Sequence, residues 1–170
     1  MIGRHGYVLT CAHVLPEEGS VTVTVTNSSA NGGKPRTYVA EVLRRDDDRD
    51  IALLKVPTQA DLATVLLAPT TAVEAGETVT VIDHPGAGEA VLSQTLTTGV
   101  VSSRARKLDG RTYVQTSAAV NLGSSGGPMF DSHGDVIGLV VLKARIEGAA
   151  FAVPAAELRD FPQKATVNLK

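Results

Sequence analysis

Three short segments carry residues able to do covalent chemistry. Thr10-Cys11-Ala12-His13-Val14 offers a histidine and Asp50-Ile51-Ala52-Leu53-Leu54 an aspartate. Asn121-Leu122-Gly123-Ser124-Ser125-Gly126-Gly127-Pro128 offers a serine among glycines. A serine hydroxyl is a poor nucleophile until a neighbouring base takes its proton. Imidazole suits that task because, as a class, it titrates near neutrality. A carboxylate then fixes the tautomer of the ring and stabilises the imidazolium that forms. These roles fall on Ser125, His13 and Asp50. Glycines let backbone N–H groups turn toward a developing oxyanion at close range, and the N–H groups of Gly123 and Ser125 are assigned to that hole. The chemistry would be acyl transfer through a serine ester.

Other residues of the same types read differently. Asp46-Asp47-Asp48 is a charge run of the kind that usually forms a solvated face, whereas Asp50 directly abuts an apolar run. His5, His84 and His133 have glycine- or proline-rich neighbours and are expected in exposed loops. No two histidines stand at helical or strand spacing to a carboxylate, so no metal ligands and no cofactor are expected. Cys11 reads as a small buried apolar residue, with a redox brake on the base as the lesser reading. It is the single cysteine, so no intrachain disulfide forms, which fits a reducing compartment or a fold that never needed bridges.

The elements that must hold these residues are mostly strands. Val21–Thr26 and Tyr38–Leu43 alternate apolar and polar residues with period two, and Ile51–Val56 is a short buried run. Further strands are expected at Thr78–Ile82, Leu92–Ser102, Thr112–Thr116, Pro128–Phe130, Val136–Leu142 and Ala149–Val153. Asn27–Pro35, with its Asn-Gly-Gly, reads as a loop and Asp131–Asp135 as a tight hairpin. A turn is expected at Cys11–Val14 and a short helix from Pro154 through Leu158. Many short strands broken by turn signals indicate an all-β sandwich or barrel. Residues 57–76, with Pro57 and Pro69, divide the chain into two β halves, with His13 and Asp50 in one and Ser125 in the other.

A chain of 170 residues suits one domain with a self-sufficient core. The net charge of −2 supplies no basic field for nucleic acid or anionic membrane. No stretch approaches the roughly 20 apolar residues of a membrane helix. Met1–Gly6 lacks the layout of a signal peptide. The chain as written is therefore expected in the cytoplasm, with an extracytoplasmic place requiring an upstream targeting segment.

The motifs resemble those of trypsin-like serine proteases, most closely the HtrA (Deg) branch. The chain order His…Asp…Ser distinguishes that arrangement from the subtilisin and α/β-hydrolase orders. Gly6–Val14 is similar to the strand leading into the histidine, and Asp50–Val56 to the aspartate motif. Gly76–Gly86 and Thr98-Gly99-Val100-Val101-Ser102 resemble the opening of the second barrel. Gln115–Asn121 followed by Gly123–Pro128 is the most specific match, and Phe151-Ala152-Val153-Pro154 resembles the closing strand. Ser124 and Leu122 stand where the family usually has Asn and Pro.

The resemblance implies two six-stranded antiparallel Greek-key barrels with the active site in the cleft between them. Residues 1–68 would form the N-terminal barrel, lacking at least one strand, and 69–170 the C-terminal barrel and a closing helix. No regulatory PDZ domain and no pro-segment are expected. It also implies a serine endopeptidase acting on polypeptide, with self-association through the incomplete barrel as one expectation, and no nucleic-acid or membrane partner. The pocket for the residue before the cut would have Ala119, six residues before the nucleophile, as its floor. Val140-Val141-Leu142 would be its wall. An uncharged pocket predicts small aliphatic specificity, since an acidic floor is what recruits Lys or Arg. The rival readings are a non-catalytic peptide-binding module of the same fold and a protease domain detached from a larger regulated protein.

Overall fold

Valine and threonine alternate through Val21–Val25, and the burial alternates with them: Val25 is buried while Thr22 and Thr24 are exposed. That pattern recurs across a computed structural model that describes residues 6–26, 34–58, 62–69, 73–84, 86–87, 90–91, 94–146 and 148–163. Side chains are undescribed at 86–87, 90–91, 142–146 and 162–163. Two compact units result, Met1–Leu66 with Phe161–Lys170, and Leu67–Asp160. His5, Asn27–Gly33 of the expected loop, and Leu92–Ser93 of an expected strand lie outside the described residues.

The first unit is a four-stranded antiparallel sheet of β1 (Tyr7–Thr10), β2 (Val21–Val25), β3 (Arg36–Asp46) and β4 (Ile51–Lys55). Its order is β1-β4-β3-β2. Among the described residues this sheet is open, consistent with the expected incomplete barrel. β4 is central, and Ile51, Ala52, Leu53 and Leu54 are all buried, so the strand reads as a continuous apolar run rather than an alternation. Ala52, Leu54 and Val56 pack with Val25, Tyr38, Ala40, Leu15 and Leu62 in one cluster. Each buried leucine contributes roughly 1.5–3 kcal/mol. On the exposed face the Thr24 and Thr37 hydroxyls meet at 2.8 Å across the β2–β3 pair. β3 outruns its expected end at Leu43 because a bulge between Val42 and Arg44 lets pairing with β4 continue to Asp46.

The second unit holds the remaining strands. They are β5 (Thr78–Asp83), β6 (Gly86–Ala87), β7 (Ala90–Val91), β8 (Thr95–Leu108), β9 (Arg111–Thr116), β10 (Pro128–Phe130), β11 (Val136–Ile146) and β12 (Ala149–Pro154). Six of them close into a barrel in the order β10-β11-β12-β9-β8-β5, with Met129↔Val81 completing the ring. Closure removes both sheet edges. Val79, Val81, Val101, Val114, Met129, Ile137, Val140 and Ala152 fill the interior. Asp109 and Gly110, both at positive φ, form the two-residue turn between β8 and β9. The apolar Tyr113 and Phe151 rings pack edge to face at 6.3 Å. Helix α1 (Ala155–Gln163) runs past the expected end at Leu158. Glu157 pairs with Arg111 at 3.0 Å, and Arg159 donates to the carbonyls of Leu67 and Ala68. Among the described residues, no helix is long and apolar enough to cross a membrane.

Candidate active site

His13 lies in a single 3-10 turn, Ala12–Val14, that follows β1. Leu15 N–H donates to the Ala12 carbonyl at 3.1 Å and closes this turn. Cys11 and Ala12 are buried while His13 is exposed, so the turn anchors itself on its small residues and presents the imidazole.

Asp50 ends the turn between β3 and β4, in the left-handed region at φ 57°. A non-glycine residue there costs about 1–2 kcal/mol, and aspartate is among the side chains that tolerate it. The turn is built by Asp46, whose Oδ1 accepts the Arg49 N–H at 2.9 Å. Asp46 is therefore structural and only half-exposed, which corrects its expected place in a solvated charge run. Asp47 and Asp48 are exposed.

The outcome of these two turns is a buried carboxylate wrapped around one residue. Asp50 Oδ1 accepts the His13 backbone N–H at 3.0 Å, and His13 Nδ1 lies 2.9 Å from Oδ1 and 2.8 Å from Oδ2. Both carboxylate oxygens are acceptors, so Nδ1 carries the hydrogen and Nε2 of the neutral ring is the basic nitrogen. The backbone bond fixes the turn and the ring bond fixes the tautomer. One side chain does both across 37 positions of sequence. Cys11 also belongs to this neighbourhood. A donor atom each from Cys11, His13 and Asp50 lie within 4.8 Å of one another. Sequence spacing gave no metal-ligand pattern here because Asp50 arrives from a different hairpin.

Ser125 belongs to the second unit and sits in the turn before β10. Its neighbour Ser124 is 1% exposed, whereas Ser125 is half-buried. The Ser124 hydroxyl accepts the Asn121 N–H at 3.0 Å, and Ser124 N–H donates to the Asn121 carbonyl at 3.0 Å. Gly126 N–H donates to Val140 O at 2.9 Å, and Val140 N–H to Gly127 O at 2.9 Å. Gly123 and Gly126 take φ of 95° and 85°, which side chains would resist. The two adjacent serines thus have separate work: Ser124 staples the loop shut and Ser125 is left at its surface.

Ala119, the expected pocket floor, is exposed, and its carbonyl accepts the Thr97 hydroxyl at 2.9 Å. Thr116 Oγ1 donates to Val100 O, and Ala118 N–H donates to Thr116 Oγ1 at 3.0 Å. Val100 N–H donates to Ser117 Oγ at 3.1 Å. This lacing of Thr116–Ala119 onto β8 was not evident in the sequence. Val140 and Val141 are buried, and Val140 belongs to the barrel core. The side chain of Leu142 lies outside the described residues.

The profile of the trypsin-like peptidase domain matches residues 1–139. The chain is 32% identical over 168 residues to serine protease HTRA1 of Xenopus laevis, covering 95% of this chain and 34% of that protein. It is 33% identical over 168 residues to serine protease HTR4 of Rattus norvegicus, covering 95% of this chain and 32% of that protein. Mitochondrial serine protease HTRA2 of Bos taurus is 33% identical over 168 residues, at 95% and 34% coverage. The chain therefore spans about a third of the length of these curated relatives.

Proposed function

The chain belongs to the trypsin-like peptidase domain family, and we propose from that premise that it is an HtrA-like serine endopeptidase with Ser125, His13 and Asp50 as its triad. The observation that carries this reading is the buried Asp50 carboxylate on Nδ1 of His13 at 2.8 Å. That contact leaves Nε2 to act as base. In the reaction, Ser125 Oγ attacks the scissile carbonyl while His13 Nε2 takes its proton. The developing oxyanion is met by the N–H groups of Gly123 and Ser125. His13 then returns the proton to the leaving amine, and water, deprotonated the same way, releases the acyl group.

The proposed substrate is polypeptide with a small aliphatic residue before the cut, set by Ala119. Burying a substrate ammonium there would leave its charge unpaired, which is costly. Neighbouring aliphatics would differ by only about 1–3 kcal/mol per methylene. Profiling on a random peptide library should give Val, Ala, Ile and Leu. A dominant Arg or Lys signal would show the Ala119 assignment to be wrong. The catalytic assignment is tested by a fluorophosphonate probe, which reacts only with an activated serine. Labelling should map to Ser125, and its absence at Ser125 in folded protein would leave a peptide-binding module instead.

A further inference from the structure

Cys11 is the single cysteine of the chain, and it is fully buried two residues before the proposed base. Its thiol, the His13 ring and the Asp50 carboxylate each bring a donor atom within 4.8 Å of the others. All three belong to the first unit. Thiolate, imidazole and carboxylate together form the donor set of a borderline-soft divalent cation such as zinc, and a poor set for magnesium or calcium.

We propose that Cys11, His13 and Asp50 form an inhibitory site for a thiophilic divalent cation of the zinc class. The inference rests on the reading of His13 as the base. Zinc–nitrogen and zinc–oxygen bonds near 2.0 Å and zinc–sulfur bonds near 2.3 Å place tetrahedral ligands roughly 3.3–3.6 Å apart. The His13 Nδ1–Asp50 Oδ2 pair at 2.8 Å must open by about half an ångström. The thiol must close by up to about 1.3 Å. Side-chain rotation supplies shifts of that size. Asp50 Oδ1 keeps the His13 backbone N–H throughout, which orients the carboxylate as an outer-shell bond does in resident zinc sites. The His13 side chain is 47% exposed, so the imidazole side of the site meets solvent, while Cys11 and Asp50 are buried.

The cation competes with a proton. On binding, the metal takes Nδ1, and the proton held there passes through solvent to Nε2. The thiol releases its proton to solvent and binds as thiolate. The net exchange is one cation bound for one proton released. Nε2 becomes an N–H donor and can no longer accept the Ser125 proton, so the enzyme is silenced with its nucleophile intact.

Cobalt(II) as a zinc stand-in tests this, because a thiolate-to-cobalt charge-transfer band in the near ultraviolet can come only from Cys11. The full chain and its Ser125→Ala variant should both show that band. In the full chain, fluorophosphonate labelling should fall at least tenfold along the same cobalt titration. Zinc should do the same, magnesium should not, and a chelator should restore labelling. Cys11→Ala and Cys11→Ser, each compared with itself with and without zinc, should need at least about tenfold more zinc for the same loss. No band in the full chain overturns the site. Equal zinc sensitivity without Cys11 overturns it too, since zinc then acts elsewhere. If the full chain labels poorly even without metal, the reading of His13 as base fails, while the cobalt band still decides whether the site exists.

Discussion

Asp50 shows how much one side chain can be asked to do. It adopts a left-handed backbone, accepts the backbone N–H of His13, and faces Nδ1 with both oxygens. Asp50→Asn keeps the turn, since asparagine also tolerates positive φ, and keeps an acceptor for the His13 N–H. What it loses is the demand that Nδ1 carry the hydrogen. Turnover should fall on the order of 10⁴-fold with the melting temperature little changed, and a rate near wild type would remove Asp50 from the mechanism. The serines separate at the same scale. Ser125→Ala should abolish fluorophosphonate labelling and leave stability intact. Ser124→Ala should keep labelling but destabilise by about 1 kcal/mol, the worth of the lost bond to Asn121 N–H. Denaturant melts of the two variants, run beside labelling, check both halves. Labelling that survives Ser125→Ala and vanishes in Ser124→Ala would reverse the assignment.

Among the elements, β8 does more than wall the barrel. A Cβ placed on Gly99 would fall within 2.8 Å of the Ser117 and Ala118 backbone. No side chain can therefore stand there without moving the segment that leads to the nucleophile loop. Gly99→Ala should cost about 1–3 kcal/mol as overpacking. It should also raise KM by displacing Ala119, which hangs from Thr97 on the same strand. An unchanged KM with lowered stability would limit Gly99 to a packing role. This explains what the sequence could and could not convey. The period-two pattern of Val21–Val25 and the apolar run of Ile51–Leu54 were legible because burial alone decides them. The ends of β3 and β8 were not, because Arg44-Arg45-Asp46 and Ser103–Lys107 carry no alternation. Tertiary pairing across bulges holds both in strand form. The type of each candidate site residue was legible from its motif. The bidentate Asp50–His13 contact, the Ser124 staple and the gathering of Cys11 with the pair were not, since each depends on folds of the chain that bring distant residues together.

At the scale of the whole molecule, the two units solve the edge problem differently. The barrel of the second unit has no edges, because β5 and β10 close it. In the first unit, among the described residues, β2 has β3 as its one strand neighbour. Natural edge strands are usually blunted by lysine, proline or a bulge. β2 reads Val-Thr-Val-Thr-Val with none of these, and its register with β3 is regular along its whole length. Its outward N–H and C=O groups are a template for another strand, and β-branched residues suit that pairing. The chain should therefore self-associate in a concentration-dependent way through β2, which sedimentation velocity over a hundredfold range of concentration would reveal. Thr22 is exposed on that strand, so Thr22→Lys adds charge at the edge without touching the core. It should shift the equilibrium toward monomer while leaving the melting temperature within about the 0.5 kcal/mol expected of a surface change. A chain that stays monomeric throughout would show that the β2 edge is covered. Association unaffected by Thr22→Lys would move the contact to another surface.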